Sequence, residues 1–457
     1  MGALNDLVVK INGYMSDYVL IILLVGGGIW FTINLGFVQV KGFGTAMKKT
    51  FGGLLHRKGD ADASGMSSFQ ALATAIAAQV GTGNIAGVAT ALAVGGPGAI
   101  FWMWIAAFLG MATIFCEATL AQKYKIIGDD GQVTGGPVYY IKAAFEGPVG
   151  KTLAAIFSVL IIFALGFMGN AVQSNSIASS FNTAFGIPVF VTGAFVAMIA
   201  LWIFAGGMTR IAKITENIVP FMAILYIIGS IIVIILNAKN IPYAISSIFV
   251  GAFNPSAVVG GAAGATMKLA ISKGVARGLF SNEAGMGSTP HAHAVAKVDH
   301  PCQQGFVAMA GVFIDTFIVL DMTALVILTS KAIPTGFTGA QLSQYAFSTR
   351  FGQFGNVFIA ICMFFFAFST IVGWYFFGQA NVKYLFGPNA VKPYALIVAI
   401  CVFLGSLAEV ELVWNMADMF NSLMVIPNII AILFLTKKVK ALLHEYYHDF
   451  LPKHPDE

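Results

Sequence analysis

Residues 77–87 read AAQVGTGNIAG and residues 280–288 read FSNEAGMGS, each inside a segment that is otherwise apolar. Each stretch places a Gly-x-Gly and several polar side chains at the depth of a membrane core. Glycine lowers helix propensity by about 1 kcal/mol, and backbone groups freed in lipid are unstable unless they line a cavity or meet a ligand. One such stretch could equally serve close helix packing. Two matched stretches favour a binding site between two interrupted helices.

The composition supports a membrane location. The chain has 457 residues, of which 58% are hydrophobic and only 10% charged, whereas a soluble domain has about 25% charged residues. Most of its surface must therefore face lipid, which excludes a soluble enzyme or a nucleic-acid-binding protein. The four cysteines are scattered without CxxC spacing, so neither a disulfide framework nor a zinc site is expected.

Apolar runs of about 20 residues predict membrane-spanning helices. We predict an all-α polytopic membrane protein with about eleven spans, without a soluble domain between them. The predicted spans cover residues 17–38, 67–91, 97–122, 151–180, 187–207, 212–236, 265–295, 305–331, 355–384, 393–409 and 413–436.

The two interrupted helices lie in the second and seventh spans, five apart. Because five is odd, two five-span units must cross the bilayer in opposite directions, which is typical of an inverted repeat. We predict four parts in the chain. An N-terminal segment with one extra helix covers residues 1–66, and the first repeat covers residues 67–236. The second repeat, with the external loop before it, covers residues 237–436, and a tail covers residues 437–457.

Most of the 25 Lys and Arg residues fall on one side of the predicted spans. The positive-inside rule places that side in the cytoplasm. We therefore expect a multi-pass protein of the cell membrane with its N-terminus outside and its C-terminus in the cytoplasm.

Further polar groups lie at membrane depth. Asn170 and Gln173 are three residues apart, on one helical face beside Phe167; they suit either helix–helix hydrogen bonds or a ligand. Ser369 and Thr370 offer the hard oxygen ligands that a small cation prefers, although back-bonding to the preceding turn is an equal alternative. Trp374 lies one turn further and could wall a pocket or a gate.

Four carboxylates also occur within apolar segments, where ionisable groups are rare and default to functional hypotheses. They are Glu117, Glu283, Asp315 and Asp321. Glu283 lies within the second interruption, and Glu117 is a candidate to accept hydrogen bonds from unwound backbone. A structural role is at least as good an interpretation for Glu117, Asp315 and Asp321.

Residues 95–110, beginning GGPGAIFWMWI, and residues 278–288, GLFSNEAGMGS, resemble the signatures of the alanine/glycine:cation symporter family. The hydropathy pattern is similar over the whole chain. This resemblance implies a LeuT-type fold of five plus five helices preceded by one extra helix. It also implies sodium-coupled symport of small neutral amino acids by alternating access, with no enzymatic activity and no organic cofactor.

The resemblance also implies site residues. A sodium ion would be bound by the carbonyls of Ala77, Val80 and Phe366 and the hydroxyls of Ser369 and Thr370. A second sodium site is not placed, although Asn84 is present. For the substrate, the resemblance points to Thr82, Gly83, Phe280 and Ser281. Together with the polar and aromatic residues at membrane depth, the candidate substrate residues are Gln79, Gly81, Thr82, Gly83, Phe167, Asn170, Gln173, Phe280, Ser281 and Trp374.

The expected partners are alanine or glycine, sodium and membrane lipid, with no nucleic acid, and the expected oligomeric state is a monomer. Proton coupling through Glu283 or Asp321 is the nearest alternative. A channel is disfavoured because no charged ring or repeated pore helix occurs. An intramembrane enzyme is disfavoured because no nucleophile–base pair has interpretable spacing.

Overall fold

The computed structural model describes residues 2–55, 61–62, 65–128, 130–254 and 266–454. Within these residues the regular secondary structure is helical, apart from a two-stranded antiparallel hairpin of β1 (Ile126–Ile127) and β2 (Val133–Thr134) and two isolated β-bridges. We number the helices α1 to α17 as follows: Asp6–Asn34, Phe43–Leu55, Ser68–Gln79, Gly83–Gly95, Gly98–Lys123, Pro137–Ala144, Gly147–Phe185, Val189–Phe204, Gly207–Leu236, Ile241–Phe253, Met267–Asn282, Pro290–Ala294, Pro301–Thr329, Gly339–Phe351, Gln353–Phe386, Val391–Leu407 and Val410–Glu445. A four-residue helix, Val38–Lys41, precedes α2.

The membrane-spanning prediction agrees with these helices. Eight single helices of the described residues are long and apolar enough to cross a membrane, and α3 with α4 forms a further span bent by 44°. The shorter α8 has 16 residues, and the seventh predicted segment contains α11 and α12. Every predicted segment therefore contains helix, and the protein is a polytopic all-α membrane protein.

The seventh predicted span needs correction. We predicted it over residues 265–295, but residue 265 lies outside the described residues and α11 ends at Asn282. The five-residue α12 follows only at Pro290. The non-helical stretch from Glu283 to Thr289 therefore divides this span into two helices, at the interruption predicted over residues 280–288.

Besides α2 and α6, two helices outside the predicted spans were not anticipated. Helix α10 lies in the loop before the seventh segment and α14 in the loop before the ninth. Helix α10 packs so closely on the start of α5 that a β-carbon at Gly98 would lie 2.1 Å from the carbonyl oxygen of Gly251. These short helices thus cover the bundle at one end.

Besides the π-helical turns in α1 and directly after α17, three helices of the bundle contain such turns: Gly83–Gly87 in α4, Ile162–Gly169 in α7 and Ile314–Leu320 in α13. Such turns change which residues share a helix face and often occur at functional sites. All three lie at the depth of the interrupted helices, next to the site described below.

Candidate functional site

Helix α3 begins and ends at defined residues. Ser67 caps its first turn in a capping box with Gln70. The helix ends at Gln79, because Val80 takes φ −82° and ψ 87°, outside the helical region. The interruption predicted from the glycines therefore begins at Val80.

The backbone freed between α3 and α4 is bound by side chains. The N–H of Gly81 donates to Asn84 Oδ1 at 3.1 Å, and the N–H of Thr82 donates to Gln173 Oε1 at 3.2 Å. Helix α4 resumes at Gly83. The predicted site residue Gln173 thus supports the first interruption directly.

The second interruption begins where α11 ends. Glu283 adopts left-handed backbone with φ 58°, followed by Gly285 with φ 95° and Gly287 with φ 77°. Side chains disfavour this conformation, whereas glycine tolerates it. The two glycines of the Gly285-Met286-Gly287 sequence therefore allow the backbone to leave the α-helical conformation and form a turn.

Glu117 of α5 braces this turn. Its two carboxylate oxygens accept the N–H groups of Gly285 at 3.0 Å and Gly287 at 2.9 Å. Asn428 of α17 donates to the same carboxylate at 2.6 Å and to the carbonyl of Gly285 at 2.9 Å. The hydrogen bonding that the sequence suggested for Glu117 is present.

The two interruptions touch each other. A β-carbon at Gly83 would lie 3.2 Å from Ser281 Cα and 3.3 Å from the ring of Phe280. Gln79 Nε2 donates to the carbonyl of Asn282 at 2.7 Å. The predicted substrate residues of both helices therefore lie together, at the centre of the bundle.

Asp315 of α13 joins both interruptions. It is fully buried, and its carboxylate accepts Asn84 Nδ2 at 2.7 Å, Ser281 Oγ at 2.9 and 3.0 Å, and Thr316 Oγ1 at 3.0 Å. No basic side chain of the described residues pairs with it. The sequence marked Asp315 only as an acid at membrane depth, and it gave no sign of this central position.

Oxygen atoms of four predicted sodium ligands converge beside the first interruption. Thr370 Oγ1 lies 3.0 Å from the carbonyls of both Ala77 and Phe366, and Ser369 Oγ lies 3.3 and 2.9 Å from the same two oxygens. Both hydroxyls are buried. The carbonyl of Val80, the fifth predicted ligand, makes no hydrogen bond to these hydroxyls among the described residues.

Aromatic rings wall the site. The rings of Phe280 and Trp374 are 5.8 Å apart and perpendicular, and Trp414 of α17 lies 5.1 Å from Phe280. The indole N–H of Trp374 donates to the carboxylate of Glu283. Phe280 and Trp374 therefore lie together beside the second interruption, with Trp414, which the sequence analysis did not name.

Phe167 lies elsewhere. Its ring packs on Phe163 at 5.5 Å and on Tyr394 at 6.0 Å, in a groove on the outside of the bundle. Its expected role as a wall of the substrate site does not agree with this position. Asn170, three residues on, is buried, and its Nδ2 donates to the carbonyl of Gly166 in its own helix.

An ion pair covers the site at one end. The two terminal guanidinium nitrogens of Arg277, Nη1 and Nη2, each donate to one carboxylate oxygen of Asp418 at 2.8 Å. The guanidinium carbon lies 5.0 Å from the ring of Trp414 and 5.9 Å from that of Phe280. A cavity of about 390 Å³, lined by Arg277, Trp414 and polar side chains such as Asn175, opens beyond this ion pair.

At the opposite, basic end a backbone contact closes the bundle. The N–H of Met66 donates to the carbonyl of Val295 at 2.9 Å, and that of Lys297 donates to Met66 at 2.8 Å. Lys297 also pairs with Asp62 at 2.9 Å. Lys125 donates to the carbonyl of Ala296 at 3.1 Å, and burial lowers the pKa of its ammonium group. This inner clasp joins the segment before α3 to the segment after α12.

Two interrupted helices around a buried polar centre, with closures at both ends, define the class of protein as a secondary transporter. The fold resembles that of solved transporters: the structure of MhsT in complex with L-phenylalanine has a TM-score of 0.56 and 15% identity, covering 85% of this chain and 99% of that one.

The family model for the sodium:alanine symporter family matches residues 1–454, and the chain belongs to that family. It is 42% identical to the sodium/alanine symporter AgcS of Methanococcus maripaludis, over 94% of each chain. It is 41% identical to the probable sodium/glutamine symporter GlnT of Bacillus subtilis, over 95% of this chain and 89% of that one. The chain is therefore a transporter of the LeuT type rather than an enzyme.

Proposed function

We propose that the protein couples the entry of sodium to the uptake of a small neutral amino acid, alanine or glycine, across the cell membrane. The observation that carries the proposal is the convergence of the Ser369 and Thr370 hydroxyls with the carbonyls of Ala77 and Phe366. Four hard oxygen atoms of this kind suit a small cation without a negatively charged ligand. We assign the sodium ion to this cluster.

The ion site adjoins the substrate site. A β-carbon at Gly81 would lie 2.3 Å from Thr370 Oγ1 and 3.3 Å from Gln173 Oε1. The amino-acid carboxylate would take the N–H groups of Thr82 and Gly83, the first of which is now bound by Gln173. The ion would bind the carbonyl of Ala77, and the substrate would bind N–H groups a few residues further along the chain. Each therefore stabilises the same unwound backbone conformation. Their affinities are then coupled reciprocally.

The site supports a short side chain. Phe280, Trp374 and Trp414 surround it, and Ser281 packs on the backbone of Gly83. Arg277, the basic residue nearest to this cluster in sequence, is held by Asp418. An acidic substrate side chain would therefore lack a free cation, and a bulky one would lack space.

Alternating access would open the two closures in turn. The Arg277–Asp418 pair and the inner clasp lie at opposite ends of the interrupted helices. We propose that the repeats at residues 67–236 and 237–436 move relative to each other around the site. In this division of the chain, the first segment, 1–66, precedes the repeats and the tail, 437–457, follows them. The N-terminus would face outward, because the inner clasp lies on the side rich in Lys and Arg.

Reconstituted protein tests the proposal. Proteoliposomes should accumulate labelled alanine when an inward sodium gradient is imposed, and glycine should compete. A proton gradient alone should not replace sodium. Equal accumulation of labelled alanine with sodium absent on both sides would contradict the sodium assignment. Sodium-driven uptake of the label that neither excess unlabelled alanine nor excess glycine inhibits would contradict the substrate assignment.

The ion pair at the outer end gives a separate prediction. Asp418→Asn should raise the alanine concentration for half-maximal uptake by about tenfold, because bidentate charge-assisted hydrogen bonds are worth roughly 1.5–3 kcal/mol each and also position Arg277 over Phe280. Sodium activation should change little. The control is Asp130→Asn, which removes an ion pair with Lys383 at the opposite end. Identical kinetics for Asp418→Asn and the native protein would exclude a role in closing the site.

A further inference from the structure

A groove on the outside of the bundle separates α7 from the end of α15 and the start of α16. Its volume is about 420 Å³, and its lining includes Phe163, Phe167, Phe386, Pro393, Tyr394 and Ile397. Phe386 is 70% exposed and Ile397 47% exposed, so the groove opens toward lipid. The hydroxyl of Tyr394 points away, into the close contact between Gly166 and Gly378. The groove thus presents an almost purely apolar surface.

The groove ends at a polar pocket on the basic side of the protein. Where α15 ends, a second cavity of about 170 Å³ is lined by Thr134, Tyr139, Lys142, Lys383, Tyr384 and Pro388. The Lys142 ammonium lies 5.2 Å from the ring centre of Tyr384 and 5.5 Å from that of Tyr139. Tyr384 and Pro388 adjoin Leu385 and Ala390, which line the groove. The two cavities are therefore neighbours along one path.

Lysines flank this path: Lys392 precedes Pro393 of the groove, and Gly150, next to Lys151, packs on the backbone of Lys142. Lys151 in the first turns of α7 and Lys392 at the start of α16 are both exposed. Lys142 has no carboxylate partner within the described part of the chain. Of the acids nearby in the described residues, Asp130 is paired with Lys383, and the side chain of Glu146 makes no capping hydrogen bond at the start of α7. Lysine is therefore in excess where the spans meet the membrane surface.

We infer that the groove and the pocket together bind one anionic phospholipid, with an acyl chain along Phe163, Phe167 and Ile397 and the headgroup phosphate among Lys142, Lys151 and Lys392. The groove faces out of the bundle between spans, where an acyl chain is the available apolar occupant. The charge excess selects an anionic headgroup, since basic residues close to the membrane surface attract anionic lipids.

The lipid would contact elements that build the transport site. Phe167 and Tyr394 form the groove wall, and Tyr394 stacks on Tyr375, next to Trp374, with ring centres 5.4 Å apart. On the inner side of the same π-helical turn, a β-carbon at Gly169 would lie 2.4 Å from the ring of Trp374. A bound acyl chain would therefore fix α7 against α15 and α16.

Native mass spectrometry of the purified, delipidated full chain tests the headgroup. Dioleoyl phosphatidylglycerol should bind at least tenfold more tightly than dioleoyl phosphatidylcholine. The triple variant Lys142→Gln, Lys151→Gln, Lys392→Gln should lose that preference. The matched control, Lys437→Gln, Lys438→Gln, Lys440→Gln, removes the same charge from the basic side at the end of α17 and should keep it. Equal losses in both variants, or no loss in the first, would overturn the proposal.

A second arm tests the groove. Ala390→Trp narrows the groove and should lower the affinity for dioleoyl phosphatidylglycerol at least fivefold. The affinity for the dihexanoyl lipid with the same headgroup should stay within twofold of the native value. If the variant does not fold, the native chain still decides the matter, because the dihexanoyl lipid should bind at least tenfold more weakly than the dioleoyl lipid. Equal affinities of the two lipids would exclude the groove as an acyl-chain site.

Discussion

Thr370→Val is expected to raise the sodium concentration for half-maximal alanine uptake by at least tenfold. Valine has nearly the shape of threonine but lacks the hydroxyl that lies 3.0 Å from the carbonyls of Ala77 and Phe366. Interactions of polar groups with a charged partner are worth roughly 1.5–3 kcal/mol each, and about 1.4 kcal/mol is a tenfold change in affinity. Uptake into proteoliposomes at varied sodium, with alanine saturating, measures the effect.

The matched control is Thr329→Val. This threonine is also buried, and its hydroxyl donates to the carbonyl of Leu325 in its own helix at 2.7 Å, away from the interruptions. The same substitution there should leave sodium activation within about twofold, since only a local back-bond is lost. An unchanged sodium dependence in Thr370→Val would contradict the assignment of the sodium ion to this cluster.

The spans could be predicted because membrane-crossing segments must satisfy their own backbone hydrogen bonds and therefore appear as long apolar runs. Helices α10 and α14 have 13 residues each, too few to cross, so the criterion that found the spans passed over them. The interruption in the seventh span was predicted, but its length was not. Glycine content alone did not show that three residues between Glu283 and Gly287 would have positive φ and prevent the helix from resuming before Pro290.

The site was predictable where its residues are close in sequence. Ser369 and Thr370 are adjacent, and each interruption is a continuous stretch. Asp315 could not be assigned, because its partners Asn84 and Ser281 are 231 and 34 residues away and meet it only in the folded bundle. A partner at that separation leaves no periodic signal in a single sequence.

The error at Phe167 has a local cause. In an α-helix, residues three apart share a face, so Phe167 was placed beside Asn170. The π-helical turn over Ile162–Gly169 holds a wider backbone ring, which changes the angular offset of the residues around it. Phe167 therefore points toward lipid, while Asn170 and Gln173 remain buried. Helical periodicity read from sequence fails wherever such a turn intervenes.

Asp315→Asn is expected to reduce alanine uptake by about a hundredfold or more. The substitution keeps the shape but removes the charge and turns one acceptor oxygen into a donor. Asn84 and Ser281, which both donate to this carboxylate at present, would then compete for the single remaining oxygen. Loss of two charge-assisted hydrogen bonds at roughly 1.5–3 kcal/mol each gives the expected scale.

Asp321→Asn, six residues on in α13, is the control, because Asp321 accepts a hydrogen bond from Trp104 Nε1 at 2.8 Å rather than from either interruption. It should retain uptake within about threefold, as one partly buried hydrogen bond is worth about 1 kcal/mol. Thermal unfolding of both variants separates the effects: loss of uptake in Asp315→Asn with a native-like melting temperature places Asp315 in the transport cycle. If Asp321→Asn instead abolishes uptake and Asp315→Asn does not, the functional carboxylate is the one beside Trp104, and the contact between the two interrupted helices is only structural.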